Sequence, residues 1–289
     1  MSDDALVSGD DKPLLELRNV SKTFRSAAGA AVAAVRSVSL TVRRGETLAL
    51  VGESGSGKST LGRIALGLIR PDSGEVLLDG RSLASLSSAA FREARIAMQP
   101  IFQDATASLN PRRTVRQLMA QALRRRGQGI DAQAADILDS VGLRPGAEYL
   151  DRLPHELSGG QRQRLAIARA LAVEPALIVA DEPLSGADVS IRGQLLNLLL
   201  DIREARHIAY LMITHDISIA RAFADRVVVM LRGEIVESGP VGDVLVDPRH
   251  EYTRRLIAAV PQLDMAGAPR QPGAAVSAEP FGPARSRET

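Results

Sequence analysis

The sequence predicts an α/β fold in which a mainly parallel sheet carries a phosphate-binding loop and a smaller antiparallel sheet precedes it. Three observations predict this. Val51-Gly52-Glu53-Ser54-Gly55-Ser56-Gly57-Lys58-Ser59-Thr60 fits G-x-x-x-x-G-K-[ST], with an apolar run of strand length before it and helical periodicity after it. Residues 176–180 and 208–214 are continuous apolar runs, the pattern of strands buried on both faces of a parallel sheet, and each ends in ionisable groups. Residues 14–20 and 38–42 alternate instead, as strands with one wet face do.

The composition narrows the function classes. A chain of 289 residues holds one large domain or two small ones, and 45% hydrophobic with 24% charged residues is a soluble globular profile. The formal net charge is +2, so despite a pI near 9.3 no nucleic-acid partner is expected. The absence of cysteine excludes disulfides, thiolate zinc sites and cysteine-held iron–sulfur clusters. Residues 1–11 are acidic and lack a basic stretch followed by an apolar one, so no signal peptide is read there. Residues 27–35 are too short to span a bilayer, which takes about 20 apolar residues. A cytoplasmic chain is expected unless a partner holds it elsewhere.

Taken in order, residues 1–12 read as a solvated tail, and the alternating stretches at 14–20 and 38–42 as strands, with Arg43-Arg44-Gly45 turning into the strand before the loop. Phe24 lies between the first two strands and either stacks on a base or plugs the sheet edge. Within the loop, glycines let backbone N–H groups face phosphate oxygens, and the positive end of the following helix, read over 61–69, points to the same place. Lys58 is expected to reach the β- and γ-phosphates, Ser59 to hold Mg²⁺ and Thr60 to touch the α-phosphate. Only three of the 36 basic residues are lysine, and one of them is Lys58. A compact ammonium on a flexible stem folds back over phosphates where a planar guanidinium does not. The alternative is a Gly/Ser turn that cradles nothing.

Beyond the loop, residues 71–74 form a turn and 75–80 a short strand. Residues 96–104 are an apolar run that ends in polar groups, including Gln99 and Gln103; a glutamine at such a strand end holds Mg²⁺, orients water or caps the strand. Residues 113–150 read as helices, with an apolar stripe of Val115, Leu118, Met119, Ala122 and Leu123. The triple arginine 124–126 is a solvated helix terminus or a contact for anionic lipid or a partner. Ser158-Gly159-Gly160-Gln161 opens an amphipathic helix and offers a hydroxyl and free N–H groups, suited to a γ-phosphate or to plain capping. His155 is read as structural. Asp181 and Glu182 end the strand of 176–180, where ligands of open α/β sheets bind; Asp181 is expected to hold Mg²⁺ and Glu182 to act as general base for water. His215, after the strand of 208–214, reaches a γ-phosphate or caps the strand. A helix with the stripe Ile191, Leu195, Leu198, Leu199 and Ile202 lies between them, and residues 226–231 and 234–237 form a hairpin around Arg232-Gly233. Residues 263–289, rich in Ala, Gly, Pro and Arg, are expected to be disordered.

The order of these motifs resembles the ATP-binding subunits of ABC transporters over residues 14–262. In that light Gly52, Ser54, Gly55, Gly57, Lys58, Ser59 and Thr60 match the P-loop, Gln103 the glutamine loop, and Leu157-Ser158-Gly159-Gly160-Gln161 the family signature. Asp181 and Glu182 match the magnesium aspartate and catalytic glutamate, Asp188 the D-loop and His215 the switch histidine. The resemblance implies a P-loop ATPase core at 13–240, with a helical subdomain at about 104–165 carrying the signature. It also implies ATP and Mg²⁺ as cofactors, and Phe24 as the aromatic that stacks on adenine.

Ser108-Leu109-Asn110-Pro111-Arg112, Pro154-His155-Glu156 and the segment from His250 to Pro261 resemble the oligopeptide/dipeptide/nickel importer branch. The run Ser-Gly-Gly-Gln-Arg-Gln-Arg is typical of its second, F-like ATPase, and 241–262 would be the branch's C-terminal extension. Ala105-Thr106, Met98-Gln99-Pro100 and Gly186-Ala187 depart from the branch pattern, and the second leaves Gln99 and Gln103 as rival glutamines. The resemblance implies uptake of peptides or similar small solutes, with a second ATP-binding subunit, two membrane permease subunits and, indirectly, a substrate-binding protein, at the cytoplasmic face of the membrane. A soluble ABC ATPase of DNA repair or translation would usually carry two cassettes, zinc cysteines or coiled coils, and a P-loop kinase leaves the signature and His215 unexplained.

Overall fold

The computed structural model describes residues 12–25, 29–124, 129–185 and 189–259. β1 (Leu15–Arg25) pairs antiparallel with β2 (Ala31–Val42) on one side and β4 (Ser73–Leu78) on the other, and β4 carries the two-residue β5 (Arg81–Ser82). This is the antiparallel sheet expected ahead of the nucleotide core, although its first two strands are longer than alternation indicates. Lys22 pairs with Val35 and Phe24 with Val32, so segments without alternating side chains are strands because the ladder between them satisfies their backbone groups.

The larger sheet runs β10-β9-β3-β8-β7-β6. β3 (Thr47–Val51), β6 (Met98–Phe102), β7 (Leu177–Asp181), β8 (Ala209–Thr214) and β9 (Arg226–Leu231) are parallel, and β10 (Glu234–Pro240) returns antiparallel through the Arg232-Gly233 turn. Its register levels the strand ends, for Val51 lies opposite Thr214, Ile213 opposite Asp181, and Asp181 opposite Phe102.

Alternation along these strands feeds different cores. Leu48 and Leu50 of β3 pack with Leu177 and Val179 of β7 against the antiparallel sheet and α1 (Lys58–Ala65). Ala49 and Val51 share a cluster with residues of α8 (Ile217–Phe223), α9 (Val241–Val246) and α10 (Glu251–Ala258). Ile178, Ala180 and Met212 face a third cluster, built from α4 (Val115–Leu123), α5 (Ile130–Ser140), α6 (Gly159–Leu171) and α7 (Val189–Arg206). Each fully buried leucine in these clusters contributes about 1.5–3 kcal/mol relative to exposure.

Two sequence expectations are corrected. Ile96 and Ala97 do not begin a strand; they end α2 (Ser88–Ala97), and β6 starts at Met98. The helix after the loop does not reach residue 69, because Gly67 adopts φ +65° and the chain turns there, leaving Leu68 exposed. After β6 comes the one-turn α3 (Ala105–Ser108). The two expected tails, Arg125, Arg126 and Asp188 lie outside the described residues, apart from Lys12.

Candidate functional site

The level ends of β3, β6, β7 and β8 bring Gly52, Gln103, Glu182 and His215, each the next residue in the chain, to one edge of the sheet. That edge is where open parallel sheets bind ligands. The loop after β3 is shaped by its glycines. Gly52 has φ +151° and Gly57 has φ +106°, and a Cβ would run into the Met230 carbonyl oxygen at the first and the Ala34 carbonyl oxygen at the second. Only glycine lets the loop sit this close to β9 and β2. From the hairpin turn, the Gly233 N–H donates to the Ser56 carbonyl at 2.9 Å, while its own carbonyl accepts from the Arg36 N–H at 2.8 Å. The turn thus ties the loop to the antiparallel sheet.

Lys58 folds back onto this loop. Its Nζ donates to the carbonyl oxygens of Gly52 and Glu53, each at 2.7 Å. Burial pushes its pKa down, and the nearby Glu182, Asp181 and Glu53 oppose that. The Ser59 hydroxyl donates to Asp181 Oδ1 at 2.9 Å. Burial raises the Asp181 pKa against that hydrogen bond and against Arg63 and Lys58, with Glu182 adding to the rise. Glu182, in the left-handed region at φ +47°, turns its side chain to His215, whose Nδ1 lies 3.0 Å from Oε1. Gln103 Nε2 donates to Ser185 Oγ at 3.0 Å. Gln99 instead donates to the carbonyls of Arg95 at 2.6 Å and Ile96 at 3.3 Å, so it closes the end of α2, and Gln103 is the glutamine at the sheet edge.

A cavity of about 520 Å³ opens over the loop. Ser54, Gly55, Gly57, Lys58, Ser59, Thr60 and Glu182 line one side of it, and Ala31, Val32, Ala33, Ala34, Arg36 and Arg232 the other. Phe24 is not in this lining. It sits beside it, opposite Val32 in the ladder, with Lys22 Nζ 5.7 Å from its ring centre. Gly52 is buried beneath the loop, and His215 lines a smaller cavity on the far side of Glu182.

Ser158, Gly159, Gly160 and Gln161 do not line the nucleotide-sized cavity. They open α6, where the Ser158 hydroxyl accepts from the Gln161 N–H at 3.3 Å and the Gln161 side chain accepts from the Ser158 N–H at 2.9 Å. Ser158 and Gly159 face solvent.

The Ser59–Asp181 pair suits a hard divalent cation. A single half-buried carboxylate with a hydroxyl is the sparse protein contribution that magnesium accepts when phosphates and water fill its remaining positions. Three contributors to the site escaped the sequence reading: Ala34 and Gly233, which brace the loop from other strands, and Tyr252, whose hydroxyl accepts the Glu53 N–H at 2.9 Å. Ala34 and Gly233 act through backbone groups and Tyr252 through a hydroxyl 199 residues from its partner, so no local pattern announces them.

The description "ABC transporter" belongs to a family model that matches residues 35–185. The chain is 48% identical over 262 residues to the glutathione import ATP-binding protein GsiA of Escherichia coli (strain K12), an alignment covering 87% of this chain and 42% of that one. It is 45% identical over 268 residues to the oligopeptide transport ATP-binding protein OppD of Mycobacterium bovis, covering 89% of this chain and 44% of that one. The chain therefore spans less than half the length of these curated relatives. Among solved structures, the dimeric post-hydrolysis state of the ATP-binding cassette MJ0796 bound to ADP and Pi aligns with TM-score 0.69 and 30% identity, over 78% of this chain and 98% of that one. Similarly, cbiO1 of Clostridium perfringens, part of the ABC transporter complex cbiONQ, aligns with TM-score 0.70 and 27% identity, over 82% of this chain and 92% of that one.

Proposed function

Because this chain belongs to the ABC transporter family, we propose that it is the ATP-hydrolysing subunit of an importer that energises uptake of peptides or similar small solutes through separate membrane subunits. The observation that carries the reading is the convergence of Lys58, Gln103, Asp181, Glu182 and His215 on one sheet edge, with Ser158–Gln161 opening α6 outside the lining of the cavity over the loop. Relatives named for glutathione import and oligopeptide transport support the solute class. The dimeric cassette structure supports a second ATP-binding subunit, which would bring its own signature to this chain's loop. Two permease subunits and a substrate-binding protein would complete the assembly at the cytoplasmic membrane face. Among the described residues no helix is long and apolar enough to cross a membrane.

In the reaction, ATP and water become ADP and phosphate. The loop's N–H groups and the start of α1 receive the phosphates, and Lys58, held at the Gly52 and Glu53 carbonyls, is placed to reach the β- and γ-phosphates. Ser59, Asp181 and Gln103 would hold Mg²⁺, which when bound neutralises charge on the phosphate oxygens. Glu182 takes the proton of the attacking water, and the His215 Nδ1 contact aims its carboxylate. Ala31 to Ala34 and Phe24 would flank the base.

The test is Lys58→Ala. Lys58 opens α1, and its ammonium bonds carbonyls of the adjoining loop and, among the described residues, no distant element, so the fold should persist by circular dichroism while ATP turnover is lost; a charged hydrogen bond contributes about 1.5–3 kcal/mol in binding. Turnover at the native rate in this variant would overturn the reading.

A further inference from the structure

We propose that Tyr252, on the C-terminal helix, is a positioning residue for the nucleotide loop, holding the peptide group between Gly52 and Glu53 in the orientation that nucleotide binding requires. The inference rests on the loop being the phosphate site. The Tyr252 hydroxyl accepts the Glu53 N–H at 2.9 Å across a sequence separation of 199. That N–H and the Gly52 carbonyl belong to one planar trans peptide, so they point in opposite directions. The Gly52 carbonyl is an acceptor for Lys58 Nζ at 2.7 Å. One peptide group is therefore gripped at both ends, by a tyrosine beneath the loop and by the lysine within it.

The grip matters because Gly52 has no Cβ, so sterics place little restraint on rotation of the peptide that follows it. A turned peptide would aim the Gly52 carbonyl oxygen at the phosphates instead of at Lys58, setting a negative dipole end against negative charge. The Tyr252 hydroxyl opposes this rotation.

The tyrosine is itself well placed to resist movement. It is 5% exposed and packs with Ala49 and Val51 of the strand that leads into the loop and with Ile217 of α8. The start of its helix is fixed to the sheet by Glu237 of β10, whose carboxylate accepts the N–H groups of Arg249 at 2.7 Å and His250 at 3.1 Å. His250 Nδ1 in turn accepts the Tyr252 N–H at 3.1 Å. A route of hydrogen bonds thus leads from β10 through the helix start to the loop.

Tyr252→Phe removes the hydroxyl and keeps the packing. For the full-length chain, the dissociation constant for Mg-ATP, measured by calorimetry, should rise about 3–10-fold, the worth of one hydrogen bond. The KM for ATP should rise with it, while kcat at saturating ATP changes less than twofold. Hydrogen exchange at the Glu53 amide in the nucleotide-free protein should accelerate. Glu237→Gln, which leaves Tyr252 intact but weakens its helix start, should shift the dissociation constant the same way. A Tyr252→Phe protein with a lower Tm but native ATP affinity and native Glu53 exchange would overturn the proposal, leaving Tyr252 a packing residue. A native chain that fails to bind ATP would overturn the nucleotide reading and this inference together, whereas native binding with an indifferent Tyr252→Phe overturns this inference alone.

Discussion

Lys58 and Asp181 sit on either side of Ser59, and burial drives both toward their neutral forms, the lysine pKa down and the aspartate pKa up. On the proposed reading an incoming phosphate would relieve the first and a divalent cation the second. Asp181 makes the effect of burial measurable. Its carboxyl ionises less readily in the folded chain than at the ordinary 3.8 of the unfolded one. The stability linked to this group is therefore complete below pH 3.8 and is lost as pH rises through the higher folded value. Asp181→Asn keeps an oxygen to accept the Ser59 hydroxyl and carries no charge. Without nucleotide or magnesium it should melt above the native protein at pH 7, with a gap that narrows as pH falls toward 4. A lower Tm for the variant at pH 7 would count against a desolvated carboxylate here.

Among the elements, α3 is the one that tests transport. It follows Gln103 directly, and Thr106 on it faces solvent while its N–H is held by Asp104 at 2.8 Å. In a chain without cysteine, Thr106→Cys is a unique handle. Crosslinks from it in native membranes should land on an integral membrane protein, and crosslinks confined to soluble proteins would sink the importer reading. The elements also show what a sequence reveals and what it hides. β3, with five buried residues, was legible because a strand covered on both faces must be apolar throughout. α2 was not, because its packed face is small, Ala94 with the half-buried Phe91 and Ala97, and gives only a weak periodic signal. The site followed the same division. Lys58 was legible from the G-x-x-x-x-G-K-[ST] pattern, and Asp181, Glu182 and His215 as ionisable groups after apolar runs. The choice of Gln103 over Gln99 needed the α2 end that Gln99 closes, and the braces from Ala34, Gly233 and Tyr252 needed the tertiary fold.

For the whole molecule, the separation of Ser158 from the cavity over Lys58 means that one chain presents two unlike halves of the proposed site. Glu182→Gln keeps the size of the side chain but cannot take a proton from water, so turnover should fall about 10²–10⁴-fold. The variant should accumulate as an ATP-dependent dimer, measured as mass by size-exclusion light scattering, either with itself or with a non-identical partner subunit. Adding Ser158→Arg, on the exposed start of α6, should abolish the dimer. A dimer indifferent to Ser158→Arg would refute the shared site, and native turnover in Glu182→Gln would refute the base.

The placement of β3 carries a last consequence, for synthesis on the ribosome. The strand lies between β8 and β9, so both of its ladder partners are translated long after it. At about 5–20 residues per second, the phosphate loop emerges roughly 10–40 s before Leu231 completes the second of those partners. During that interval the nascent chain exposes an apolar strand with two open edges and has no framed nucleotide loop. Ribosome-arrested chains ending before β8 should therefore be protease-sensitive and blind to ATP, so the strand that leads into the loop is one that a chaperone would have to cover.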